Sequence, residues 1–222
     1  MTNIDPIRPS RLALAVGAAL SLAGTGALAA DSAGRVLSSR GPVVAVTEDG
    51  STRSLSRGER IYPGDIIETN RGRMQIRFRD GALMSLEPQT RFEVERYATA
   101  EQSEESGSAV MEFFRGALRT LTGAIGGGND DYRMKTPVAT VGIRGTQYAL
   151  RFCEEGSCGP NVPDGLYGHT IDDNVIVGNS GGSSSFSSGK YFYVPDPQTA
   201  PTSILRPPGN LFGSEGDAGE GG

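Results

Sequence analysis

The stretch that decides the fold runs from Thr136 to Phe152 and reads TPVATVGIRGTQYALRF. It predicts two short strands rich in β-branched residues and hinged at Gly142 and Gly145, where glycine permits a backbone conformation or a close approach that a side chain would forbid. From position 147 to 152, apolar residues alternate with polar or small ones, which is the period of a strand with one buried face. Pro137 suits the first residue of a strand. The stretch has no nucleophile–base pair and no metal-ligand cluster, so we interpret it as a structural signature.

Arg144 lies between the two glycines. Its guanidinium carries five donors, which can bind carbonyls exposed by the hinge or a buried acid such as Asp80 or Asp65. We therefore expect Arg144 to stabilise the hinge rather than to bind a ligand.

The same stretch closely resembles the C-terminal signature of the FecR domain, a TP-x-A-x-x-G-x-RGT core. Two upstream segments, GDIIETN at 64–70 and RDGALMSL at 79–86, resemble further elements of that family in the expected order. The resemblance covers about residues 41–152 and extends more weakly to 194. The structural signature that it implies consists of Thr136, Pro137, Gly142, Arg144, Gly145, Thr146, Gly64, Asp65, Asp80 and Gly81.

The resemblance implies an extracytoplasmic, β-rich module of solenoid or roll-like form. In some family members this module belongs to a membrane-spanning regulator that relays the state of an outer-membrane transporter to a sigma factor. The sequence itself predicts an all-β fold of many short strands, because turn signals recur about every ten residues. The residue pattern alone equally allows a β-sandwich.

Four regions are predicted along the chain. Residues 1–29 form a signal peptide, 30–152 the core of a FecR-like β domain, 153–194 a disulfide loop with a β extension, and 195–222 a Pro/Gly-rich disordered tail. In the first region Arg8 and Arg11 precede an apolar run, and Ala27-Leu28-Ala29 offers small residues for cleavage after Ala29. An uncleaved membrane anchor is the alternative. Cleavage would leave a periplasmic or secreted protein of the bacterial envelope with no membrane span.

Cys153 and Cys158 are the only cysteines and bracket a glycine-containing turn. In an exported chain such a pair predicts a disulfide that closes a short loop. The alternative is a zinc site that also uses His169, the only histidine. An isolated histidine makes the disulfide the preferred interpretation, and we predict neither a metal nor another cofactor.

A stripe of arginines accompanies the clearest alternation in the chain. Met74, Ile76 and Phe78 share one predicted face. The opposite face carries Arg71, Arg73, Arg77 and Arg79. This face is either a site for an anionic ligand, such as an envelope glycan, or a solvated surface on which the arginines pair with Glu87, Glu93 and Glu95. The nearby acids favour the second interpretation.

Composition limits the function further. The formal charge of −5 gives no electrostatic support for a nucleic-acid-binding role. The sequence GNSGG at 178–182 imitates a serine-hydrolase loop, but the other triad members would be His169 and Asp172 or Asp173, all close in sequence, which is not how known triads are built. We therefore predict a protein that is not an enzyme.

The predicted function is that of an exported binding or interaction module in the bacterial envelope, with an envelope protein or surface glycan as partner. The alternative is a periplasmic component of a signalling relay that controls a sigma factor. Because the sequence has no anti-sigma segment typical of the family, a relay would have to act through another membrane protein.

Overall fold

The computed structural model describes residues 31–99, 107–125 and 131–212, and the regular secondary structure in these ranges is β-strand throughout. The strands are β1 (Gly34–Arg40), β2 (Val44–Val46), β3 (Thr52–Ser54), β4 (Arg60–Ile61), β5 (Ile66–Glu68), β6 (Arg73–Phe78), β7 (Leu83–Leu86), β8 (Arg91–Ala98), β9 (Ser108–Leu121), β10 (Asp131–Lys135), β11 (Thr140–Cys153), β12 (Gly165–Asn179), β13 (Gly182–Ser187), β14 (Tyr191–Val194) and β15 (Thr202–Ile204). The prediction of an all-β fold with many short strands is confirmed.

All of these strands belong to one hydrogen-bonded sheet rather than to two separate sheets. The long strand β9 makes this possible, because it pairs with β8 and β10 along its first half and with β7 and β11 along its second half. Since β10 also pairs with β11, the strands β9, β10 and β11 close a ring. The sheet therefore curls over itself as a roll. Strands β9 and β10 pair in parallel.

A single core fills the inside of the roll. Met74, Ile76 and Phe78 of β6 are each 2% exposed or less, as their alternation predicts. Phe92, Phe113 and other large side chains from neighbouring strands pack into the same cluster. Each fully buried side chain of this size contributes roughly 1.5–3 kcal/mol, so the pattern of period two provides the main driving force for the fold.

The structure has fewer strand breaks than the sequence predicts. The predicted pair of strands hinged at Gly142 and Gly145 is one strand, β11, with a register shift against β12 between Arg144 and Gln147. Gly145, at φ 56°, produces a local bulge instead of a turn, because β11 is held by partner strands before and after it. Strand β9 likewise continues through Arg115 and Gly116 without a break. The Gly/Ser-rich segment at 178–189 contains β13.

The prediction of a disordered tail from residue 195 is wrong for residues 195–212. Strand β15 pairs with β14, and Leu211 is buried against Cys153 and Tyr167. Asn179 of β12 fixes the start of this segment, since its side-chain amide donates to the carbonyls of Asp196 and Thr199. These contacts come from residues far away in sequence, so the tail composition could not show them.

Two predicted regions lie outside the described residues. They are the signal peptide at 1–29 and the final part of the tail at 213–222. Over the ranges that are described, no helix has the length and apolar character needed to cross a membrane.

Candidate anion-binding face

The outer surface of the roll carries a concentration of arginines. Alternation along β6 places Arg73 and Arg77 outward, opposite the buried core residues. Strand register then aligns Arg77 with Arg35 of β1, and Arg35 with Arg60 of β4, while Arg73 aligns with Arg40. We call this surface the basic face; its arginines are Arg35, Arg40, Arg60, Arg73, Arg77 and Arg119.

Five of these arginines, all except Arg119, are directly opposite another arginine on a neighbouring strand. Arg60, Arg35 and Arg77 form one such row, and all three are exposed. Like charges in directly opposite positions destabilise a sheet. The row is therefore unfavourable in the free protein, and an anion lying over it would relieve the repulsion.

The other two arginines of the predicted stripe lie elsewhere. Arg71 is in the turn before β6 and lines a separate cleft. Arg79 follows β6, with its guanidinium 3.9 Å from the carboxylate of Asp31 and 5.9 Å from the ring centroid of Tyr97. Of the four predicted arginines, only Arg73 and Arg77 therefore lie on the basic face.

Of the predicted acidic partners, only Glu87 pairs with the stripe. It lies 3.6 Å from Arg73 in an exposed contact. Glu95 instead binds Lys135 at 2.6 Å. Glu93 lies directly opposite Glu112 across β8 and β9, and burial together with that neighbouring charge raises the pKa of Glu93. The predicted pairing with Glu93 and Glu95 is wrong, because these residues belong to a strand that does not neighbour β6.

Exposed leucines lie among the arginines. Leu83 and Leu121 are opposite each other on β7 and β9 and extend the row that contains Arg77. They are 39% and 48% exposed. Leu37 is the extra residue where the β1–β6 register shifts, so the bulge adds another exposed apolar side chain beside Ser38. The basic face thus combines guanidinium groups with apolar contacts.

The cysteine pair forms the predicted disulfide. Cys153 and Cys158 are joined, with their Cα atoms 5.5 Å apart. The alternative zinc site is not assembled, since the sulfurs are bonded to each other and the His169 ring stacks on Tyr191 at 4.1 Å. Within the described ranges no group of three or more potential metal ligands comes together.

The signature residues around positions 64 and 80 fix turns. Asp65 is 2% exposed, and its carboxylate accepts from the backbone N–H of Tyr62 at 2.7 Å and pairs with Arg53. The preceding Gly64 has φ 85°, which favours glycine. This arrangement closes the turn into β5.

Asp80 connects three separate segments. Its carboxylate accepts from the hydroxyl of Tyr97 at 2.7 Å and from the backbone N–H groups of Ala82 and Ile125 at 3.1 and 3.2 Å. Burial and the hydrogen bond to Asp80 raise the pKa of Tyr97. Gly81 follows at φ 90° and completes the turn between β6 and β7. One carboxylate thus holds β8 and the segment after β9 against this turn.

The TP and RGT residues act at different places along β11. The Thr136 hydroxyl accepts from the N–H of Ala139 at 3.0 Å and donates to its carbonyl at 2.8 Å, and Pro137 lies within this turn, which precedes β11. The backbone N–H of Thr146 donates to the Thr122 hydroxyl at 2.7 Å, and its own hydroxyl donates to the Asp172 carbonyl. Thr146 therefore attaches the bulge to β12 and to the segment after β9, whereas Thr136 closes the turn into β11.

Residues 65–162 match the family model described as FecR protein. This part of the chain is similar to a FecR domain. Two crystal structures of a protein from Parabacteroides distasonis, assigned provisionally as an anti-sigma factor, resemble the fold with TM-scores of 0.47 and 0.44 and 14% sequence identity. The matches cover 63% and 60% of this chain and only 58% and 55% of the chains compared. The comparison with curated proteins finds no match.

The signature residues that the FecR resemblance implies are not all needed for the same structural reason. A Cβ added at Gly142 would meet nothing closer than 3.7 Å, so neither close approach nor a positive φ demands glycine there. Arg144 lies opposite Asn174 in the β11–β12 ladder, and its side chain lies outside the described residues. Asp65 and Asp80, its suggested acidic partners, are bound by other groups.

The serine-hydrolase resemblance at 178–182 does not produce a triad. The Ser180 hydroxyl donates to the carbonyl of Pro197 at 2.5 Å, and the Asp172 carboxylate accepts from the N–H of Asp173. His169 contributes its ring to an aromatic stack with Tyr191. The surroundings of these residues are those of turns and packing.

Sequence reasoning missed four members of the basic face, which are Arg35, Arg40, Arg60 and Arg119. The exposed side of each strand could be read from alternation, and Arg119 is flanked by the buried Leu118 and Thr120. Which strands become neighbours could not be read in that way. The face exists because residues distant in sequence are placed opposite one another.

Proposed function

We propose that this protein is a non-enzymatic, exported interaction module of the bacterial envelope that binds an anionic partner through the basic face. The observation that supports this proposal is the row of opposed, exposed arginines Arg60, Arg35 and Arg77. Such a row is costly in the free protein and becomes favourable when carboxylate, sulfate or phosphate groups lie over it.

The chemistry of the face suits a partner with both anionic and apolar groups. Guanidinium groups form paired hydrogen bonds with planar or tetrahedral anions, while Leu83 and Leu121 offer apolar area beside them. The whole chain is acidic at −5, so the positive face is a local feature that steers an anionic partner to one side of the molecule.

A direct binding experiment tests the role of the face. The probes are fluorescent poly-glutamate and dextran sulfate, with neutral dextran as the uncharged reference. The double variant Arg35→Ser/Arg77→Ser is expected to bind the anionic probes at least about tenfold more weakly. A tenfold loss of affinity corresponds to about 1.4 kcal/mol, and each lost charge-assisted hydrogen bond is worth about 1.5–3 kcal/mol. Raising the salt concentration should weaken wild-type binding.

The matched control is Arg57→Ser, which removes an exposed arginine outside the face. Equal losses in the control and the double variant would show only a dependence on net charge and would refute the role of the face. Failure of wild-type protein to bind either anion would also refute it.

Export is the second part of the proposal. Its support is the sequence of residues 1–29, with basic residues before an apolar run and a small-residue cleavage site. Intact-mass analysis of protein from the cell envelope should give a chain that begins at Ala30. Recovery of the full-length chain from the membrane fraction would instead identify an anchor.

The similarity to a FecR domain favours a second candidate, a periplasmic role in a signalling relay that controls a sigma factor. In that case the basic face would bind another envelope protein. A photo-cross-linking residue at Leu121, at the β9 end of the row that contains Arg77, would be tested in cells. A cross-link to a membrane protein that regulates a sigma factor supports the relay, whereas a cross-link to other envelope material contradicts it.

A further inference from the structure

A cleft of about 740 Å³ lies beneath the disulfide loop, at a place distinct from the arginine row of the basic face. The turn before β6, the turn before β8, the bulge of β9 and the end of β11 form its walls. Its lining includes Arg71, Gln89, Arg115, Arg151, Glu154 and Glu155. The volume falls within the range of small-ligand sites, about 300–1,000 Å³.

Strained backbone is concentrated around this cleft. Over the described ranges, four residues other than glycine have positive φ, and three of them, Asn70, Gln89 and Glu155, line the cleft. Their φ values are 44°, 63° and 50°. Residues in this conformation are retained where the surrounding structure holds them in place, and such positions cluster at ligand sites.

Buried threonines hold the floor of the cleft rigid. The Thr69 hydroxyl donates to the Glu87 carbonyl at 2.7 Å and accepts from the N–H of Thr90 at 2.9 Å. The Thr90 hydroxyl accepts from the N–H of Ala117 at 3.1 Å. Gly116, at φ 96°, allows this approach, since a Cβ there would lie 2.5 Å from the Cα of Thr90. The floor is therefore formed before a ligand arrives.

Arg151 provides a partly buried charge in the cleft. Its Nε donates to the carbonyl of Leu211 at 3.0 Å, and burial lowers the pKa of its guanidinium. No ion pair with Arg71, Arg115 or Arg151 occurs in the part of the chain that the structure describes. These guanidinium groups thus have donors for an added carboxylate.

The lip of the cleft formed by the disulfide loop carries negative charge and is fixed from two directions. Glu154 and Glu155 lie inside the loop closed by Cys153 and Cys158. The Asp164 carboxylate accepts from the N–H groups of Glu155 and Gly156 at 3.0 and 3.2 Å. The remaining acid of the lining, Glu68, is already paired with Arg91. The lip therefore brings two carboxylates into a lining that also contains the three arginines.

We propose that this cleft binds a short zwitterionic peptide, with the peptide carboxylate on Arg115 and Arg151 and a peptide ammonium on Glu154 and Glu155. A purely anionic ligand would meet the carboxylates of the lip, and a purely cationic one would meet the arginines. A ligand with both charges satisfies both sides, and the rigid floor lowers the ordering cost of binding. The site goes beyond the anion binding of the basic face and uses other residues.

The test uses the full chain with its disulfide intact and the tripeptide Ala-Lys-Ala with free termini. Isothermal titration calorimetry should show saturable binding of one peptide per chain. Two altered peptides should each bind at least about tenfold more weakly. One has a C-terminal amide and so lacks the carboxylate. The other has an acetylated amino terminus and norleucine in place of lysine, and so lacks both ammonium groups. Arg115→Ser and Glu155→Gln should produce losses of similar size.

Two controls separate the outcomes. Arg57→Ser should keep the wild-type affinity, and thermal melts should show that all variants are folded. Arg35→Ser/Arg77→Ser should keep its affinity for the peptide and lose affinity for dextran sulfate. Arg115→Ser should lose affinity for the peptide and keep its affinity for dextran sulfate. Absence of saturable peptide binding, equal affinity of the capped peptides, or equal loss in Arg57→Ser would overturn the assignment of the cleft. None of these results would bear on the basic face.

Discussion

Replacing Asp80 by alanine should destabilise the protein, because its carboxylate joins three separate segments. The change removes the acceptor for the Tyr97 hydroxyl and for the backbone N–H groups of Ala82 and Ile125. Each buried donor left without an acceptor costs about 1–3 kcal/mol. The surroundings are only partly buried, so water can reach some of these groups and the lower value applies.

The expected loss in the free energy of unfolding is therefore about 3 kcal/mol for Asp80→Ala. For a chain of this size each 1 kcal/mol lowers the melting temperature by roughly 2–4 °C, which gives a decrease of about 6–12 °C. Asp80→Asn should lose about 2 kcal/mol, because the amide oxygen replaces one acceptor while the amide NH₂ faces donors.

Urea denaturation followed by tyrosine fluorescence, together with thermal melts, measures both variants. The matched control is Asp131→Asn, which removes a carboxylate from an exposed ion pair with Arg133 and should cost no more than about 1 kcal/mol. An Asp80→Ala variant no less stable than this control would refute the conclusion that the carboxylate joins the turn to β8 and the segment after β9.

Three further predictions follow from particular contacts. The double variant Cys153→Ser/Cys158→Ser should lose about 2 kcal/mol or less, because the ring is short and Asp164 also holds the loop; a larger loss in denaturation under oxidising conditions would contradict this. Gly168→Ala should lower the free energy of unfolding by about 1–3 kcal/mol or more, because the added Cβ would lie 1.9 Å from the Phe192 ring. Gly142→Ala is the control and should be near neutral, since a Cβ there has room. Equal melting temperatures for the two variants would show that the core adapts freely. Glu93→Gln should raise stability by under about 1 kcal/mol at pH 7, because Glu112 lies opposite Glu93 and the folded protein raises the pKa of Glu93. Since that pKa is raised, the wild type recovers stability as the pH falls, and the gain from the substitution should vanish near pH 4. Thermal melts that show a gain independent of pH would disprove the charge mechanism.

The candidate site shows where sequence reasoning stopped. Alternation alone identified Arg73 and Arg77 as the exposed side of β6, and this was correct because the side-chain period of a strand is a local property. The same reasoning assigned Glu93 and Glu95 as their partners, which was wrong because β8 does not lie beside β6. The cleft was missed entirely, since its walls come from four separate segments.

The sequence by itself determined the all-β class, the buried face of β6 and the pairing of Cys153 with Cys158. These features depend on period, turn chemistry or a very short separation along the chain, all of which are local. Only the tertiary structure decided that β9 pairs with four other strands, that Arg35 lies between Arg60 and Arg77, and that residues 195–212 return to cover β14 and the disulfide loop. Strand pairing joins distant segments through backbone hydrogen bonds that nearly every residue type can make, so the residue types alone do not specify which strands become neighbours.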